Sequence, residues 1–265
     1  MSLSSRTKKI LASLFVLISL GAFASIAYAS HAWGNYHWAR TANPFTLKLG
    51  DNVGVAWDAH LGTASNDWSI SSVLDTIVVP GTNLKNCKPV NGRVEVCNRK
   101  YGKNGWLGIT SIWASGDHIT KGTVKLNDTY FNTAKYNTPA WKNLVMCQEI
   151  GHTFGLDHQD EIFANSPLGT CMDYTNDPTP NQHPNQHDYD QLETIYAHLD
   201  TSTTIAGALS SILGRNNNGN DSGIPIESPE EWGKVIRKSH DGRNTLYERD
   251  LGKGNKVFTF VIWAD

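Results

Sequence analysis

Apolar and polar positions change period several times along the chain, and each period implies an element. Residues 45–55 alternate as a strand or hairpin does, with Gly50-Asp51-Asn52 as its turn. Residues 65–78 carry Ile70, Val73, Leu74 and Ile77 at helical spacing, which predicts an amphipathic helix behind a sheet. Strand-like patterning returns at 106–113 and 123–127, and Pro139 then stands where the first turn of a helix accepts it. Residues 173–186, rich in Asn, Pro, His and Asp, read as loop. Over 188–199 a helical face is formed by Tyr189, Leu192, Ile195, Tyr196 and Leu199.

Beyond Asp200 the texture changes. Residues 201–223 are rich in Ser, Thr, Gly and Asn, with Asn216-Asn217-Asn218-Gly219-Asn220 as an evident linker. Residues 224–265 carry Trp232, Val235, Ile236 and an alternating run over 257–263, which implies a small β-rich appendage or strands packed on the main domain. The expected fold class is α+β, with a main domain over 30–200, a linker over 201–223 and the β-rich segment over 224–265.

The chemistry concentrates in residues 148–158, Gln-Glu-Ile-Gly-His-Thr-Phe-Gly-Leu-Asp-His. Residues four apart on a helix share a face, so positions 148 and 152 can point at one metal ion. Glu149 lies on the rim, where a carboxylate can take a proton from a water at that metal. Gly155 lets the chain leave the helix in a conformation that side chains disfavour, which returns His158 as a third donor. Three protein ligands and an open position describe a catalytic zinc site.

This spacing resembles that of the metzincin zinc metalloproteases, matrixins among them, whose pattern is H-E-x-x-H-x-x-G-x-x-H followed by a methionine turn. Cys171-Met172-Asp173-Tyr174 follows His158 at a suitable distance, and the resemblance covers roughly residues 33–200. It implies a twisted mixed sheet, an active-site helix, a methionine turn and a C-terminal helix. It implies zinc on Gln148, His152 and His158, Glu149 as general base, and Met172 as an apolar floor. Tyr174 resembles the tyrosine that some metzincins use as an extra ligand or oxyanion donor. It also implies a cleft-edge strand to which a peptide or protein substrate adds as a further strand, at 123–127 or its neighbour.

Gln148 departs from the pattern. Its amide oxygen reaches about as far as the outer nitrogen of histidine and is equally neutral, but zinc prefers imidazole or thiolate donors. The expectation is therefore a zinc-dependent endopeptidase, with a catalytically weak or inactive pseudoprotease that binds peptide or protein as the alternative. Recruitment of Asp157, His118, His183 or His187 as another donor is a third reading; each has a plain turn or loop role beside it.

The N-terminal region has Arg6, Lys8 and Lys9, an uncharged stretch over 10–29 and a small-x-small site at Ala27-Tyr28-Ala29. That describes a secretory signal peptide over 1–29 and a secreted, extracellular product with no stable membrane span after cleavage. Losing those three cations and no acid moves the formal net charge from -2 to -5. No basic cluster suggests a nucleic-acid partner. Four cysteines agree with export and permit three pairings. Cys87 and Cys97 bracket a candidate hairpin turning at Asn91-Gly92, while a Cys147–Cys171 bond, tying helix to methionine turn, is what the resemblance implies.

Overall fold

A computed structural model describes residues 31–82, 87–205 and 228–265. The signal peptide over 1–29 and most of the linker over 201–223 lie outside the described residues.

The fold is α+β. In chain order it runs β1 (His37–Trp38), β2 (Phe45–Asn52), α1 (Val55–Trp68), β3 (Leu74–Pro80), β4 (Val94–Arg99), β5 (Trp106–Ser115) and β6 (His118–Asn127). There follow the short α2 (Asp128–Phe131), then α3 (Pro139–His152), α4 (Gln186–Ile195), β7 (Lys234–Lys238), β8 (Asn244–Gly252) and β9 (Asn255–Trp263). The strands form one mixed sheet in the order β3-β2-β4-β6-β5-β9-β8-β7, with β1 pairing the start of β6. From β3 to β6 the strands are parallel; from β6 through β5 to β7 each neighbour is antiparallel.

Three expectations need correction. Residues 65–78 are not one helix. The helix ends at Trp68 and the apolar run forms β3, which pairs with β2 from Leu74 to Pro80. The helix face is made instead by Trp57, Leu61, Ala64, Ser65 and Trp68, at helical spacing but thinned in the middle by Ala64 and Ser65. Ile70, placed on the apolar face by the helical spacing, is exposed. Gly50-Asp51-Asn52 is no turn either: it lies within β2, paired with both β3 and β4.

The third concerns residues 224–265: of the two readings, a small appendage or strands packed on the main domain, it is the appendage that fails. Described from Ser228 onward, they are part of the same sheet, because β9 pairs with β5 along its length from Trp106 to Ser115. The physical reason is a second hydrophobic cluster on the face away from the helices. Trp106, Ile109 and Trp113 of β5 meet Val257 and Val261 of β9 there, with Trp232 fully buried among them. The larger cluster fills the other face, between the sheet and helices α1 and α3. Disulfides join Cys87 to Cys97 and Cys147 to Cys171. No helix among the described residues is long and apolar enough to cross a membrane.

Candidate metal centre

Helix α3 starts where its sequence says it should. The Thr138 side chain caps it by accepting from Trp141 N, and Pro139 occupies the first turn. From Leu144 to His152 every residue is buried, so the polar trio Gln148, Glu149 and His152 is carried into the interior. Gly151 lies between them because nothing larger fits: a Cβ there would meet Met172 Sδ at 2.6 Å and Trp68 at 2.7 Å. Met172 therefore packs directly against the helix backbone. Gly155 has φ +96°, and a Cβ there would meet Tyr36 O at 2.4 Å. The turn it permits brings the His158 ring to 4.5 Å from that of His152, centroid to centroid.

The donor atoms are prepared in different ways. His152 Nδ1 lies 2.9 Å from Leu156 O, which places the ring proton there and leaves the lone pair on Nε2. Gln148 Nε2 donates to Cys171 O at 3.0 Å, while its buried Oε1 has no hydrogen-bond partner among the described residues. Burial lowers the pKa of His152 well below the ordinary value, the nearby His158 adding to it, and burial also lowers that of His158. Both are neutral at pH 7, as metal ligation requires.

Glu149 is fully buried, and burial pushes its pKa up to about 8 against a hydrogen bond from Thr110. Thr110 Oγ1 donates to Glu149 Oε2 at 2.6 Å. Room for the carboxyl is made by Gly108 of β5, where a Cβ would meet Glu149 Oε1 at 2.6 Å. Tyr174 packs its ring 4.1 Å from that of His158 and 4.7 Å from Phe163. Burial holds its phenol well above the usual range, so it remains a donor.

Of the spare donors, Asp157 adjoins the site. Burial pushes its carboxyl up, but hydrogen bonding and charge from His158 and Arg237 hold it well below the usual range. Arg237 of β7 grips both its oxygens. Asp157, His158 and Glu161 each bring a ligand atom within 4.8 Å of the others. His183 instead pairs with Asp67 at 2.7 Å, and the His187 ring stacks on His31. His118, read from sequence as a turn residue, belongs to a different cluster with His37 and Asp200.

The strands β7 to β9 roof the site. Phe260 of β9 lies flat on His152, with ring centroids 4.1 Å apart and planes 12° from parallel. Asn244 of β8 places Nδ2 3.4 Å from His158 Nε2. The expected cleft edge needs correcting as well: 123–127 lies in β6, interior between β4 and β5. Its neighbour β5 is the strand beside Glu149, and the side of β5 away from β6 is paired with β9. Sequence reasoning missed Thr110, Phe260, Asn244 and Arg237, which lie 39 to more than 100 positions from their partners. Gly108 carried a signal, since a glycine inside a strand often marks close approach of another group.

No family model matches the sequence, and no curated protein matches it. Among solved structures the chain is similar to high choriolytic enzyme 1, a hatching-enzyme zinc protease of the medaka fish Oryzias latipes. The two share 10% identity at a TM-score of 0.35, over 62% of this chain and 96% of that one.

Proposed function

We propose that this chain is a secreted, zinc-dependent endopeptidase whose cleft is closed by its own C-terminal strands. One observation carries the reading: Gln148 holds a buried, unpartnered Oε1 one helical turn from His152, whose Nε2 is left with a lone pair. His158 completes the donor set, two imidazoles and one amide oxygen. All three are neutral, and the set fits zinc, though less tightly than three imidazoles would.

Zinc there would acidify a water molecule and polarise a peptide carbonyl. Glu149 would take the water's proton on its carboxylate and deliver it to the leaving amine. A neighbouring dication favours the ionised carboxylate, offsetting the burial that pushes its pKa up. The Tyr174 phenol would donate to the developing oxyanion. The substrate would lie along β5, so β9 must first give way.

The test is zinc content by plasma mass spectrometry together with peptide-library cleavage. His158→Ala should lose one zinc per chain relative to the parent protein. Phe260→Ala, which lifts the ring from His152, should cleave faster than the parent, and adding Glu149→Ala should abolish that cleavage. Gln148→His should hold zinc at least tenfold more tightly. Unchanged zinc in His158→Ala, with no cleavage by Phe260→Ala, would sink the reading.

The pairing of β9 with β5 favours a second reading, a pseudoprotease that binds a peptide or protein. In that case Glu149→Ala leaves partner affinity intact.

A further inference from the structure

We propose that His37, His118 and Asp200, with His198 beside them, form a second metal site, for zinc or a similar divalent transition metal, sharing no residue with the candidate centre on α3. The proposal does not depend on the peptidase reading.

The four side chains come from β1, the first residue of β6 and the segment after α4. They converge through the same kinds of atom. Asp200 Oδ1 lies 3.2 Å from His118 Nε2, 3.5 Å from His37 Nε2 and 3.7 Å from His198 Nε2. His37 Nε2 and His198 Nε2 are 3.1 Å apart. Zinc bonds of about 2.0–2.1 Å in a tetrahedron set donors about 3.3 Å from one another. These four separations bracket that value, and His37, His118 and Asp200 each bring a ligand atom within 4.8 Å of the others.

Neighbouring groups orient the donors as ligand-supporting contacts do. His37 Nδ1 is 2.7 Å from Asn35 O, so its proton sits there and Nε2 keeps the lone pair. Asp200 Oδ2 accepts from Arg40 Nη1 at 2.9 Å and from Arg40 N at 3.1 Å, which leaves Oδ1 facing the imidazoles. The backbone is fixed independently: His37 pairs with His118 across β1 and β6, and Asp200 N donates to Arg40 O at 2.9 Å. A donor set of imidazoles with one carboxylate suits zinc, cobalt, nickel or copper better than calcium or magnesium. An ion held by these side chains would clasp the segment around β1 to the segment after α4. The His118 and His198 side chains are 39% and 53% exposed, which provides an entry path.

The test uses the full chain carrying His152→Ala and His158→Ala, to clear the α3 centre, loaded with Co2+. One equivalent should bind with the intense visible absorption of tetrahedral cobalt, and Zn2+ should raise Tm. Adding His118→Ala or His198→Ala, both partly exposed, should preserve the circular dichroism and weaken cobalt binding at least tenfold. Should the double variant fail to fold, His118→Ala alone in the parent protein should remove one metal equivalent. Cobalt binding that persists unchanged in a folded His118→Ala variant overturns the proposal. So does a natively folded His152→Ala/His158→Ala protein that binds none.

Discussion

The two halves of the sheet treat the same chemistry in opposite ways. The parallel half, β3 to β6, is backed by α1 and α3 and brings Gln148, Glu149 and His152 into one buried place. The antiparallel half, β7 to β9, contributes no donor but sets Phe260 on His152, Asn244 beside His158 and Arg237 on Asp157. β5 serves both, with Gly108 and Thr110 accommodating Glu149 while the same strand hydrogen-bonds to β9. A site can thus be assembled by one half and sealed by the other, and the two contributions separate by mutation.

The strongest test of that separation is Trp232→Ala. This side chain is fully buried in the cluster that joins β9 to β5, and its loss should cost about 3–5 kcal/mol. If the halves are distinct, calorimetry should resolve an early transition for the antiparallel half, and hydrogen exchange should place it in 228–265. A single lowered transition would show that they fold as one unit.

Gly151→Ala probes the other half. Its methyl would press on Met172 and Trp68, with an expected cost of about 1–3 kcal/mol in chemical denaturation and weaker zinc retention. Little change in either would mean that the helix and methionine turn shift apart freely.

Arg237→Ala leaves Asp157 buried beside His158 without its cation. The side chain of Arg237 is 36% exposed, so the loss should be about 1–2 kcal/mol, below that of a fully buried pair. Its sharper readout is metal exchange, which should quicken against a chromogenic chelator as the roof loosens.

Asp265 gives the smallest effect. Burial pushes its carboxyl up, but hydrogen bonds with Lys135 and Tyr136 outweigh this and lower its pKa from 3.8 to about 2. Its contribution is therefore present above about 3.8 and fades as pH falls toward 2. Asp265→Asn should cost under about 1 kcal/mol at pH 7 and flatten the acid limb of a Tm profile between those values.

Much of the candidate centre on α3 is legible in the sequence because its parts are close together. Glu149, His152, Gly155 and His158 fall within one helix and the turn after it, where spacing alone sets geometry. Thr138 and Pro139 marked the start of that helix. Over 65–78 four apolar residues at helical spacing mask a β-branched run whose partner, β2, lies about thirty residues earlier. Parallel pairing of this kind leaves no local trace. His118 looked like a turn residue for the same reason, its companions being His37, His198 and Asp200. Only the His198-x-Asp200 spacing hinted at a ligand pair.

The sequence by itself determined which atoms are available and how a single helix and turn present them. Local backbone geometry follows from residue type, so a motif of eleven residues defines its own face. Tertiary structure decided everything that depends on distant strands meeting. It put Thr110 against Glu149, made 228–265 strands of the main sheet rather than an appendage, and gathered His37, His118 and Asp200 from separate parts of the chain. Those contacts are set by which apolar faces bury one another, a choice made by the whole fold rather than by any window along it.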